Sequence, residues 1–178
     1  ILLFLSVPIT YAGDRPNIVV IMSDDMGYSD LGCFGGEIRT PSLDKLAAGG
    51  LRFTNFYSEN MCWVSRASLL TGCYHRTSLY NGGLHPRCVT LPEALRSNGY
   101  STLMSGKWHL AGKSAKKPIY PNDRGFDSFY GILGGAASFF APHSLSRNKV
   151  NVENEYRAKD YYFTRAISSE AVKHIDSA

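Results

Sequence analysis

Asn17-Ile18-Val19-Val20-Ile21-Met22, followed at once by Ser23-Asp24-Asp25-Met26-Gly27, decides the fold expected of this chain. A short continuous apolar run rich in β-branched residues predicts a strand covered on both faces, as in the middle of a parallel sheet. In open α/β sheets ligands bind beyond the carboxyl ends of such strands, which puts Asp24 and Asp25 where chemistry is done. Two adjacent carboxylates in a tight turn make a hard, oxygen-rich site suited to Ca²⁺ or Mg²⁺ rather than zinc. On their own such pairs more commonly cap a helix or face solvent.

Working outward, Thr40-Pro41 has the form of a helix start, with Leu43, Leu46 and Ala47 on one face and Gly49-Gly50 as the stop. Leu51-Arg52-Phe53-Thr54-Asn55-Phe56-Tyr57 alternates and is aromatic, which predicts a second strand. Ser65 to Gly72 is helix-like with a glycine stop, so Cys62 falls near a helix N-terminus, where anions are favoured, and Arg66 lies one turn on along the same face. Thr90-Leu91-Pro92-Glu93 is a capping-box pattern opening a helix that runs to Asn98-Gly99.

Tyr100 to Met104 is strand-like and ends in Ser105-Gly106-Lys107-Trp108-His109, again an apolar strand followed by a polar cluster. Lys107 and His109 are two apart, a spacing that in extended chain aims both side chains to one side. Outside such a context a surface lysine and a satisfied structural histidine are the commoner readings, and Trp108 is expected to pack. Thr164 to Ala178 carries Ile167, Ala171 and Ile175 at helical spacing and predicts an amphipathic helix. No strand follows for it to cover, which marks the sequence as an expected fragment.

The bulk properties exclude more than they assign. At 178 residues with 44% hydrophobic and 19% charged residues, the chain can bury one sizeable core and carries no repeat. The net charge of +4 is modest and gives no support to nucleic-acid binding. Lys113, Lys116 and Lys117 gather in one Gly/Ser/Pro-flanked loop, expected to be solvated surface, with anion steering as the alternative. Ile1 to Ala12 is apolar but too short to span a bilayer, and its small residue before Gly13-Asp14 suits a cleavage site; residues 1–12 are expected to be a truncated signal peptide, implying export. Cys33, Cys62, Cys73 and Cys88 lack zinc-site spacing, and a Cys73–Cys88 bridge is conceivable.

Taken together, Arg15-Pro16-Asn17-Ile18-Val19, Ser23-Asp24-Asp25-Met26-Gly27-Tyr28, Cys62-Trp63-Val64-Ser65-Arg66-Ala67-Ser68-Leu69-Leu70-Thr71-Gly72 and Gly106-Lys107-Trp108-His109-Leu110 resemble the sulfatase family in order and spacing. Asp123-Arg124-Gly125-Phe126-Asp127 and Tyr130-Gly131 extend the likeness. The resemblance implies an alkaline-phosphatase-like α/β fold with a mostly parallel central sheet flanked by helices, residues 13–178 forming the amino-terminal part of a catalytic domain. It also implies hydrolysis of a sulfated small molecule or glycan around one divalent cation, generally Ca²⁺, with Mg²⁺ the lesser alternative. Asp24, Asp25 and Cys62 become metal ligands. Cys62 takes the position that a formylglycine-generating enzyme oxidises, and the hydrate of that aldehyde supplies the oxygen nucleophile. Arg66 holds the hydrate, Lys107 contacts sulfate, and His109 bonds the second hydroxyl and moves its proton.

Two departures from the family pattern bear on this. The modification signature is Cys-x-Pro-x-Arg, sometimes with alanine third, whereas Val64 stands there after a bulky Trp63; proline would fix φ and remove a donor, and valine does neither. The family's further Asp-Asn or Asp-His pair, second lysine and another histidine would lie beyond Ala178, so the polypeptide alone is expected not to turn over substrate. A phosphodiesterase or phosphonate hydrolase of the same superfamily and a non-catalytic sulfatase-like binding protein are the rival expectations.

Overall fold

Val19 and Ile21 are 64% and 76% exposed, and the Asn17–Met22 run joins no ladder among the described residues. This corrects the expected strand. A continuous apolar run reports a demand for burial but supplies no partner, and a strand needs at least one neighbour to pair with, which no other described segment provides. Leu51–Tyr57 is likewise exposed and outside any sheet, with Phe56 at 79%. The computed structural model describes residues 15–114 and 116–177, so the expected signal peptide lies outside the described residues.

The described residues divide into two compact units, the first ending at Leu51 and the second beginning at Arg52. In the first, helix α1 spans Pro41–Gly49 with proline in its first turn as expected. Thr40 does not cap it by side chain; its hydroxyl donates to Asp44 Oδ1 (2.9 Å) and accepts from the Gly32 amide (2.9 Å). Asp44 Oδ1 also accepts from the Cys33 amide at 2.7 Å, so one carboxylate ties the helix to the loop before it.

The second unit carries helices α2 (Cys62–Thr71), α3 (His75–Ser78), α4 (Leu91–Ser97) and α5 (Phe163–Asp176). Strands β1 (Leu79–Tyr80) and β2 (Gly83–Leu84) form a small antiparallel hairpin. Strands β3 (Leu103–Lys107), β4 (Ser128–Ile132), β5 (Leu145–Arg147) and β6 (Val150–Asn151) form a mixed sheet in that order, parallel between β3 and β4 and antiparallel thereafter.

The capping box at α4 forms as its sequence predicts: Thr90 Oγ1 accepts from the Glu93 amide (3.3 Å), and Glu93 Oε2 accepts from the Thr90 amide (2.8 Å). Glu93 also takes the buried Arg124 guanidinium at 3.0 Å, which welds α4 to the turn before β4. The β3–β4 pair is close enough that a Cβ on Gly131 would lie 1.7 Å from the Gly106 carbonyl oxygen, so glycine is required there.

The core sits on both faces of this sheet. One cluster gathers Ala67, Leu84, Trp108, Leu110 and Phe129; the other gathers Tyr130, Ile132, Leu145 and Phe163. The fully buried Trp108 satisfies its indole N–H on the Ile119 carbonyl at 2.8 Å, confirming its packing role. Helix α5 is fixed by Ser105 Oγ donating to the Ile167 carbonyl (2.7 Å) and by an Arg147–Glu170 ion pair. Among the described residues Cys33, Cys62, Cys73 and Cys88 form no disulfide, so the conceivable Cys73–Cys88 bridge is not made.

Candidate active site

Cys62 is the first residue of α2, preceded by Met61, whose extended backbone and lack of a capping side chain leave the first-turn amides uncovered by a local acceptor. Its Sγ lies 3.3 Å from His109 Nδ1. Arg66, one turn later, donates from Nη1 to the Lys107 carbonyl at 2.7 Å. The end of β3 therefore meets the start of α2 through all four residues singled out in this unit. Glycine at the far end closes α2: Gly72 adopts φ +66° and its amide returns to the Ser68 carbonyl.

The expected same-side placement of Lys107 and His109 assumes an extended chain, and His109 leaves the strand with φ +60°. Alternation holds only while the chain stays extended. What fixes the left-handed residue is backbone pairing past the strand: Trp108 N–H donates to the Ile132 carbonyl (2.9 Å) and His109 N–H to the Leu133 carbonyl (3.1 Å). Its ring then lies against Gly135, where a Cβ would come 2.3 Å from Nε2. Strain of this sort at a polar side chain is a mark of functional positions.

A cleft of about 830 Å³ opens beside this pair, walled by Met61, Trp63, His109, Leu133, Gly134 and His143. That volume suits a small organic ester. Along α2, Glu59 is held at three points: Oε1 accepts from Ser68 Oγ (3.1 Å), Oε2 meets His75 Nδ1 (3.1 Å), and its carbonyl accepts from Ser65 Oγ (3.1 Å). Burial pushes the Glu59 carboxyl up, but the Ser68 and His75 hydrogen bonds outweigh it and hold it below its ordinary value. This brace fixes the segment leading into Cys62. Neither Gly135 nor the Glu59–His75 pair was singled out from the sequence; the Gly134-Gly135 doublet after β4 was the available signal for a close approach.

Asp24 and Asp25 belong to the first unit, at the bend that ends the extended run, with Asp25 at φ +56°. Both are exposed and present only oxygen donors, a set that fits a hard cation of the calcium kind and falls short of a full shell. Among the described residues no three His, Cys, Asp or Glu side chains gather as a cage.

The Sulfatase family model matches residues 16–178. The chain belongs to the sulfatase family. Arylsulfatase J of Mus musculus is 38% identical over 165 residues, covering 85% of this chain and 27% of that protein. Arylsulfatase A of Homo sapiens is 48% identical over 128 residues, covering 66% and 25%. The chain thus spans about a quarter of the length of these relatives. Among solved structures, Ps i-CgsB in complex with k-i-k-neocarrahexaose superposes with a TM-score of 0.78 at 32% identity, over 92% of this chain and 42% of that one. A protein solved with its substrate D-glucosamine-2-N,6-O-disulfate gives 0.69 at 30% identity, over 93% and 32%. The fold is the α/β fold of the sulfatases, represented by part of its domain.

Proposed function

We propose that this chain carries the nucleophile-bearing part of an exported sulfatase that hydrolyses sulfate esters of small molecules or glycans. The observation that carries the reading is the meeting of Cys62 with His109 at 3.3 Å, with Arg66 bound to the Lys107 carbonyl at the same junction. Relatives named as arylsulfatases and as a steryl-sulfatase, and a neighbour solved with D-glucosamine-2-N,6-O-disulfate as its substrate, support the substrate class. Among the described residues no helix is long and apolar enough to cross a membrane.

Conversion of Cys62 to formylglycine by a generating enzyme, which would bring the two-electron oxidant and release the sulfur as sulfide, would supply an aldehyde whose hydrate is the oxygen nucleophile. A divalent cation, Ca²⁺ before Mg²⁺, would supply positive charge against the sulfate oxygens, and Asp24 and Asp25 are the residues to hold it. His109 Nδ1 stands where it can hold and move a proton at the β-substituent of residue 62. Arg66 holds the end of β3 against α2 and brings a fixed positive charge to the same junction. Lys107, at the end of β3, adds a second cation for the equatorial oxygens of the transferring group.

Val64 favours one second reading. It is 4% exposed on the inner side of α2 and stands where the family signature has proline, so conversion of Cys62 would have to precede folding. A chain that escapes conversion would keep the fold as a binding protein for sulfated glycans. Parallel assays of the full gene product on an aryl sulfate and on an aryl phosphodiester test the proposal. Preferential sulfate ester cleavage is expected; preferential phosphodiester cleavage, or neither activity, would overturn it.

A further inference from the structure

The three-lysine loop, left as solvated surface by its sequence, is built on a firm base. The Ile119 amide donates to the Ala111 carbonyl (2.9 Å), the Lys113 amide to the Asn81 carbonyl (2.9 Å), and Ala111 bridges Gly83 of the β1–β2 hairpin. Between hairpin and loop lies a second cleft, of about 480 Å³, bordered by Tyr80, Leu84, Pro86, Lys113, Lys117 and Ile119. It shares the Ala111–Ser114 wall with the cleft beside His109, so the two clefts adjoin.

The walls have a mixed chemistry. Leu84, Pro86 and Ile119 are apolar, and Tyr80, 59% exposed, is held at 5.6 Å edge-on to His85, which leaves a ring available to the cleft. The lysines bring only positive charge; none of the three pairs with a carboxylate among the described residues, and no acidic residue borders the cleft. Apolar and aromatic surface suits the C–H faces of a pyranose ring, and unpaired ammonium groups suit its sulfates.

We propose that this second cleft is a subsite for the neighbouring residue of a sulfated oligosaccharide whose reacting sulfate lies at His109, with Tyr80 taking the ring and Lys117 the second sulfate. The proposal rests on the sulfatase reading of the adjoining cleft and makes the natural substrate a chain carrying several sulfates. A lone aryl sulfate fills only the first cleft.

The test uses the full gene product, a heparin hexasaccharide as probe in calorimetric titration, and 4-nitrophenyl sulfate turnover as control. The Tyr80→Ala/Lys117→Ala double variant should bind the hexasaccharide about tenfold more weakly. Its binding should also fall less steeply with added salt, while aryl sulfate kcat/KM stays within about twofold of wild type. Unchanged hexasaccharide affinity, or an equal loss on both ligands, would overturn the subsite. Wild-type protein that cleaves the aryl sulfate but does not bind the hexasaccharide sinks the subsite alone. Lysine-dependent hexasaccharide binding without aryl sulfate cleavage sustains the subsite and sinks the catalytic reading.

Discussion

Cys62 Sγ and His109 Nδ1 lie 3.3 Å apart across a junction between the first turn of a helix and the end of a parallel strand. The pair joins positions 47 residues apart in sequence, Cys62 at the head of α2 and His109 just past β3, where its amide donates to the Leu133 carbonyl. The reaction proposed for the site is therefore most exposed to changes at this contact.

Removing either partner separates their roles. Cys62→Ala should leave the fold intact and abolish sulfate ester hydrolysis, since no other group at the junction can replace the nucleophile. His109→Ala should retain a residue of activity, with kcat lowered by about 10²–10⁴ and KM nearly unchanged, as expected for loss of a proton-transfer group. Steady-state kinetics on an aryl sulfate measures both; a His109→Ala enzyme with wild-type kcat would contradict the assignment.

Gly135 should matter for activity without touching substrate. A methyl group there would meet the His109 ring 2.3 Å from Nε2, and the ring must move. Gly135→Ala is expected to lower kcat by about 10²-fold, the cost of misplacing a catalytic group by roughly an ångström, with a melting temperature near that of wild type. Equal kcat values would show that the ring position is unimportant.

Cation dependence follows from the oxygen-only character of Asp24 and Asp25. Chelation of divalent ions should abolish turnover, and added Ca²⁺ should restore it better than Mg²⁺. Asp24→Asn or Asp25→Asn should raise the Ca²⁺ concentration needed for half-maximal activity by at least about tenfold. Full activity in excess chelator would remove both residues from the account.

Acid stability depends on the Glu93–Arg124 weld. Burial pushes the Glu93 carboxyl up, yet the Arg124 guanidinium and the Thr90 amide outweigh it and hold it below its ordinary value of 4.5. A carboxyl depressed in the folded state contributes stability that is complete above its unfolded value and lost as pH falls through the folded one. The urea midpoint should thus drop as pH is lowered below 4.5, and Glu93→Gln should flatten that fall. Arg124→Met, which leaves the Glu93 carboxylate with its Thr90 amide partner alone, should cost about 2 kcal/mol at neutral pH.

Local signals were legible where the structure satisfies them locally. Thr90-Leu91-Pro92-Glu93 specifies its own capping box, Thr40-Pro41 and Gly49-Gly50 bracket α1, and Ile167 with its neighbours lies in α5. Asn17–Met22 and Leu51–Tyr57 were not legible as they stand, because a strand is made by its partners and these runs have none among the described residues. The site was legible only as a family pattern. The contact of residues 62 and 109 depends on a left-handed turn at His109 and on open backbone at Gly135, neither of which alternation or helical spacing encodes.

The most direct measurement is mass spectrometry of the tryptic peptide Phe53–Arg66 from the full gene product made together with a formylglycine-generating enzyme. The account predicts a peptide in which the Cys62 thiol carbon has become an aldehyde that reacts with a hydrazide. A peptide carrying only the unchanged thiol would contradict it.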